Sequence, residues 1–290
     1  MVETAVKRET AMNTGSCLCG TVRWRMEGPY ARMTNCHCSM CRKAHAAPFA
    51  TYIRTDSDKF QLLSGAEAVT VYEASDNFKR RFCSHCGSVL WIGEGDQIGV
   101  AAGCLDDDPG IRPKHHIFTA SKAPWHVIAD DLPQFDEFPT GVDRAVIERP
   151  QQNADPSGLL KGSCLCGGIA FTAKPPILAV HNCHCSRCRK ARAAAHTTNG
   201  FVDPKGLHFT RGEDLLDVYK VPDAKFFAQA FCRTCGSGMP NRDLTRDRVG
   251  IPFGALDTDP GQGAGDHIYC GSKAPWHTIA DDIPQHDERP

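Results

Sequence analysis

Neither charge prevails in this chain. Its 33 lysines and arginines face 34 aspartates and glutamates, for a formal net charge of −1. A phosphate-rich partner calls for a basic surplus, so nucleic acid is not expected. Long apolar runs are missing too: nothing approaches the roughly 20 residues that cross a bilayer, so no membrane partner is expected. Met1–Asn13 mixes charges with small residues and holds no apolar stretch suited to a secretory leader. A soluble, cytoplasmic protein is the expectation. Aromatic residues are few, at 8%, so no large core is required. Cysteine, by contrast, is abundant, with 16 residues. In a reducing compartment, clustered cysteines bind metal more often than they form disulfides.

Laid on itself, the chain repeats. Gly15-Ser-Cys-Leu-Cys-Gly20 recurs as Gly162-Ser-Cys-Leu-Cys-Gly167, and Asn35-Cys-His-Cys-Ser-Met-Cys-Arg-Lys-Ala44 as Asn182-Cys-His-Cys-Ser-Arg-Cys-Arg-Lys-Ala191. Phe82-Cys-Ser-His-Cys-Gly-Ser88 recurs as Phe231-Cys-Arg-Thr-Cys-Gly-Ser237, and Ser121-Lys-Ala-Pro-Trp-His126 as Ser272-Lys-Ala-Pro-Trp-His277. Four motifs in one order mean tandem duplication. The period is too long for a solenoid and suits two complete domains. These are expected at 14–138 and 159–290, joined by a polar linker over 139–158 rich in turn formers.

Within each copy the pattern has period two. Val22, Trp24 and Met26 alternate with charged residues, and Ile169, Phe171 and Ala173 alternate with Ala170 and Thr172. Short strands are also expected at Ala50–Arg54, Lys59–Leu63, Val69–Tyr72, Ser88–Ile92 and Ile98–Ala102. Met40–Ala47 suits one short helical turn. The fold class is therefore all-β, two tandem zinc-binding domains.

Fourteen cysteines fall at equivalent positions, seven per copy. Cys104 and Cys270 have no counterpart and read as small core residues. Structural zinc wants four ligands in a closed tetrahedron, and seven does not divide into fours. The economical division joins Cys17 and Cys19 to Cys83 and Cys86, leaving Cys36, Cys38 and Cys41 as an open set of three. Spacing alone does not force this, since His37 or a neighbour would also close the second set. An open position is what separates catalytic from structural zinc.

These motifs resemble the glutathione-dependent formaldehyde-activating enzyme family, also called the centromere protein V family. The resemblance implies a β-tent fold with two zinc ions per domain. One would be structural, on Cys17, Cys19, Cys83 and Cys86, and on Cys164, Cys166, Cys232 and Cys235. The other would be labile, on Cys36, Cys38 and Cys41, and on Cys183, Cys185 and Cys188. It also implies carbon–sulfur lyase chemistry on glutathione adducts such as S-hydroxymethylglutathione. Family members often carry Thr/Ser-Gly-Ala-x-Phe after the three-cysteine cluster. Here the first copy reads Ala44-His-Ala-Ala-Pro-Phe49 and the second Ala191-Arg-Ala-Ala-Ala-His196, which favours the first copy as the active one.

A tris-thiolate zinc can hold an incoming thiol deprotonated. The proton would then pass to a nearby base, with His37 and His184 as candidates and His116 and His267 as others. Arg42, Lys43, Arg189 and Lys190 would bind a glutathione carboxylate or offset thiolate charge. Trp125 and Trp276 would pack on a sheet, and Asp130, Asp131, Asp281 and Asp282 would be solvated. The two copies are expected to pair as an intramolecular pseudo-dimer, with further oligomerisation open. The competing reading is a non-catalytic zinc module that carries glutathione or mediates assembly.

Overall fold

A computed structural model describes residues 11–76, 78–139, 141 and 152–290. Most of the expected linker and the start of the chain lie outside these. The first copy runs β1 (Met12–Ser16), β2 (Arg23–Glu27), β3 (Arg32–Cys36), α1 (Ser39–His45), β4 (Ala50–Asp56), β5 (Phe60–Ser64), β6 (Val69–Ser75), β7 (Phe78–Cys83), β8 (Val89–Ile92), β9 (Gln97–Ala101) and β10 (His116–Ile117). The second runs β11 (Leu160–Ser163), β12 (Ala170–Ala173), β13 (Ala179–Cys183), α2 (Ser186–Arg192), β14 (Thr197–Val202), β15 (Leu207–Arg211), β16 (Leu216–Lys220), β17 (Ala228–Cys232), β18 (Gly238–Met239), β19 (Val249–Pro252) and β20 (Asp266–Ile268). The protein is mostly β, with α1 and α2 the only α-helices among the described residues.

Alternation explains the layers. Trp24 and Met26 on β2 point inward and are fully buried while Arg23 and Glu27 face out, as a half-buried strand requires. In the first copy, β1, β2 and β5 make one sheet and β10-β3-β4-β9-β8-β7-β6 another. The second copy repeats the small sheet, but its large one divides into β19-β14-β13-β20 and β16-β17-β18. The sequence explains the break. Trp91 pairs with Val100 across β8 and β9, and the position equivalent to Trp91 is Pro240, which has no N–H to give a ladder.

The copies interlock reciprocally. Arg42 Nη1 donates to the Leu256 carbonyl at 3.0 Å, and Arg189 Nη1 to the carbonyls of Gly103 and Leu105 at 2.9 Å. Lys43 reaches Ser163, the Ala255 carbonyl and Asp257, while Lys190 reaches Ser16 and Asp106. These four cations thus hold the partner copy and are not turned to a substrate carboxylate. Trp276 belongs to the hydrophobic cluster of the first copy and Trp125 to that of the second, so each tryptophan packs into the opposite half. Backbones approach closely here: a Cβ on Gly103 would lie 2.1 Å from the Ala194 nitrogen, and one on Gly254 2.2 Å from that of Ala47.

Candidate metal and proton-transfer site

Each cysteine motif sits where a strand ends. Cys17 follows β1, and the turn that Cys83 opens brings Cys86 back beside it. Sγ of Cys17 is 3.3 Å from that of Cys19, and Cys19 Sγ is 3.7 Å from that of Cys83. All four sulfurs lie within 4.8 Å of one another, as do those of Cys164, Cys166, Cys232 and Cys235. The cysteines are free, and these separations far exceed the roughly 2.05 Å of a disulfide. They are close to the edge of a tetrahedron with Zn–S bonds of about 2.3 Å. Backbone N–H groups point at sulfur, from Val22 to Cys17 at 3.3 Å and from Ile169 to Cys164 at 3.2 Å. Contact with Cys17, Cys83 and Cys86 holds Cys19 far below the usual thiol range, while contact with Cys17 and Cys19 pushes Cys86 well above it. Four crowded sulfurs cannot all ionise without a cation, and they fit one.

Cys36 closes β3 and Cys38 opens α1, its Sγ accepting from the Cys41 amide at 3.3 Å. Cys185 and Cys188 repeat the contact. The trios Cys36, Cys38, Cys41 and Cys183, Cys185, Cys188 each gather their sulfurs within 4.8 Å. No fourth His, Cys, Asp or Glu joins either trio among the described residues. Cys38 is half-buried, as are Cys185 and Cys188, whereas Cys36, Cys41 and Cys183 are buried. Within the first trio, contacts from Cys36 and Cys38 hold Cys41 well below the thiol range against burial, and Arg80 helps. Its Nη2 lies 3.5 Å from Cys41 Sγ. In the second, Cys183 and Cys188 hold Cys185 down to about 3. Gln229 stands where Arg80 does and turns to the Ala191 carbonyl.

His37 is fully buried. Parallel pairing of β10 with β3 sets His116 opposite Asn35, which brings the two imidazoles together. The Asp130 carboxylate can only accept, so His116 Nε2–H donates to it at 2.9 Å. His116 Nδ1 then accepts from His37 Nε2–H at 2.8 Å, leaving His37 Nδ1 with a lone pair and no protein partner among the described residues. His184, His267 and Asp281 form the same chain at 2.8 and 2.8 Å. Asp130 and Asp281 are therefore not simply solvated, whereas Asp131 and Asp282 are exposed. Burial, with His126 and His116 nearby, pushes His37 down to about 2 and keeps it neutral.

Between the copies lies a cavity of about 370 Å³, lined by residues of both, among them Phe49, His116, His126, His196, His267 and His277. The sequence reading missed Arg80, His126, His196 and His277. His126 and His277 end a repeated motif, and that was their visible signal. Cys104 is fully buried with Sγ on the Val89 carbonyl, whereas Cys270 is half-exposed.

Residues 12–121 and 159–272 each match the profile of the family described as glutathione-dependent formaldehyde-activating enzyme. A protein of Halomonas elongata, provisionally named a glutathione-dependent formaldehyde-activating enzyme, is 33% identical over 122 residues, 38% of this chain and 77% of that protein. A crystal structure of a Rhodobacter sphaeroides protein shares 26% identity over 34% of this chain and 97% of its own, with a TM-score of 0.30. The two matches together span most of the chain and include all fourteen repeated cysteines. This chain belongs to the glutathione-dependent formaldehyde-activating enzyme family.

Proposed function

We propose that the chain is a zinc-dependent carbon–sulfur lyase that makes or breaks adducts of a thiol, glutathione in the first instance, with a small carbonyl compound. Ligand number carries the reading: four sulfurs in each closed set, three in each of the others. Zinc on a trio would supply a Lewis-acidic position that takes a thiol as thiolate. Glutathione and formaldehyde stand in the name of the Halomonas relative, which makes their adduct the first substrate to test. The units are read as 14–138 and 159–290, working as an intramolecular pseudo-dimer in the cytoplasm, where thiols stay reduced.

Breaking a hydroxymethyl thioether sends the C–S bonding pair to sulfur, forms a C=O bond and releases the hydroxyl proton. We assign that proton to His37 Nδ1, the bare nitrogen beside Cys36 and Cys38 in the chain. As Nδ1 gains it, Nε2–H passes to His116, whose own proton moves to Asp130, about a third exposed.

Cys38→Ser tests the reading. Release of formaldehyde from S-hydroxymethylglutathione should fall at least about 100-fold, while the four-cysteine sets keep the melting transition in place. Saturable glutathione binding by the wild type without product would instead favour a carrier.

A further inference from the structure

The second copy holds three imidazoles where the first holds two and a phenyl ring. His184, His196 and His277 each offer a ring nitrogen, and the three nitrogens lie within 4.8 Å of one another. Their counterparts are His37, Phe49 and His126. His196 is 4% exposed, yet neither of its nitrogens has a protein partner among the described residues. A neutral imidazole carries one donor and one acceptor, and leaving both unmet in the interior is costly. Elsewhere this fold satisfies such a ring: His45, equally buried, bonds the Arg192 carbonyl at 2.8 Å and the Tyr52 hydroxyl at 2.6 Å. His196 instead packs its ring 5.0 Å from that of His184 and 5.4 Å from that of His277.

His184 is prepared in the way a metal-bound histidine usually is. Asp281 accepts from His267 Nε2–H, and His267 Nδ1 accepts from His184 Nε2–H, each at 2.8 Å. That chain fixes the tautomer and leaves the Nδ1 lone pair buried, with no partner among the described residues. A carboxylate-backed imidazole of this kind is a more basic ligand.

We propose that His184, His196 and His277 form an additional metal site in the second copy, separate from the cysteine sets, for a divalent first-row ion, Zn²⁺ foremost. Tetrahedral Zn–N bonds of about 2.0–2.1 Å place ligand nitrogens about 3.3 Å apart, so closing the set asks for side-chain shifts on the order of 1 Å. His196 and His277 line the inter-copy cavity, which gives the fourth position room for water or a small oxygen ligand. An all-imidazole set takes borderline ions and, lacking thiolate, leaves the ion more electrophilic than the sulfur sites do. No cysteine enters the argument, so it stands apart from the lyase reading.

The test uses the full-length chain, equilibrated with Zn²⁺ and freed of loosely held ion by gel filtration. Zinc-edge X-ray absorption should show the multiple scattering of imidazole, with Zn–N near 2.0–2.1 Å, beside the sulfur shell. His196→Phe, which installs the first copy's residue, and His196→Gln should each retain one zinc equivalent fewer than wild type. A wild-type spectrum without imidazole scattering would overturn the proposal. So would either variant that melts cooperatively and keeps the wild-type zinc count.

Discussion

Single side chains decide how the two trios differ. Behind Cys41 stand Arg80, Tyr52 and His45, linked by Arg80 Nη1 to Tyr52 at 3.1 Å and by Tyr52 to His45 at 2.6 Å. At the same places the second copy has Gln229, Asn199 and Arg192. His45 Nδ1–H must donate to the Arg192 carbonyl, so Nε2 accepts from Tyr52 and the ring stays neutral. Burial pushes it down to about 4 from a usual value near 6.5. The sign follows: between these values the unfolded chain is protonated and the folded one is not, so stability declines as pH falls from about 6.5 to 4. His45→Gln should flatten that decline, measured as urea midpoints across the window, because acid release of metal is common to both proteins. Asp130→Asn probes the relay. It should lower kcat on the adduct by about 10–100-fold with little change in KM; an unchanged kcat would remove His116 and Asp130 from proton transfer. The cysteine residues of the site were legible from spacing. His45, Tyr52 and Arg80 were not, because they come from three separate elements and share no motif.

Elements place these side chains. The expected strands at Ala50–Arg54, Val69–Tyr72 and Ile98–Ala102 correspond to β4, β6 and β9 with ends shifted by one to three residues, and Met40–Ala47 to α1. Missed were β1, β3, β7 and β10. The first three carry or flank the cysteine motifs, whose glycines and polar residues mask the alternation. β10 is only two residues long, too short for any periodicity, yet it alone sets His116 beside His37. The knuckle turn after β7 depends on Gly87, at φ +73°, where an added Cβ would also lie 2.4 Å from the Phe231 ring. Gly87→Ala should therefore cost roughly 2–4 kcal/mol by chemical denaturation, combining left-handed strain with overpacking. A smaller loss would mean that the opposite knuckle yields easily.

At the scale of the whole molecule the two halves are mutually dependent. Each knuckle glycine packs on the other copy's phenylalanine, Gly87 on Phe231 and Gly236 on Phe82. Each Ala-Pro-Trp tryptophan is buried in the opposite core. Reciprocal contacts of this kind are what a two-fold interface makes. Such a seam should unfold with the domains, as one transition. Gly103→Ala combined with Gly254→Ala forces apart backbones now in contact, and calorimetry should resolve two transitions in place of one. A single transition at the wild-type temperature would show that the halves do not cooperate through this seam.

The sequence by itself determined the duplication, the β class and the identity of fourteen metal-binding candidates, because ligand spacing and strand alternation are local properties; their division into fours and threes was decided by the fold, which gathers the sulfurs. The sequence could not show that Arg42, Lys43, Arg189 and Lys190 face the other copy. Nor could it show that Asp130, His116 and His37 form one chain, or that His196 completes a trio with His184 and the distant His277. Those depend on strand pairing and on a seam between segments more than 80 residues apart. Only the packed chain brings such groups within hydrogen-bonding range.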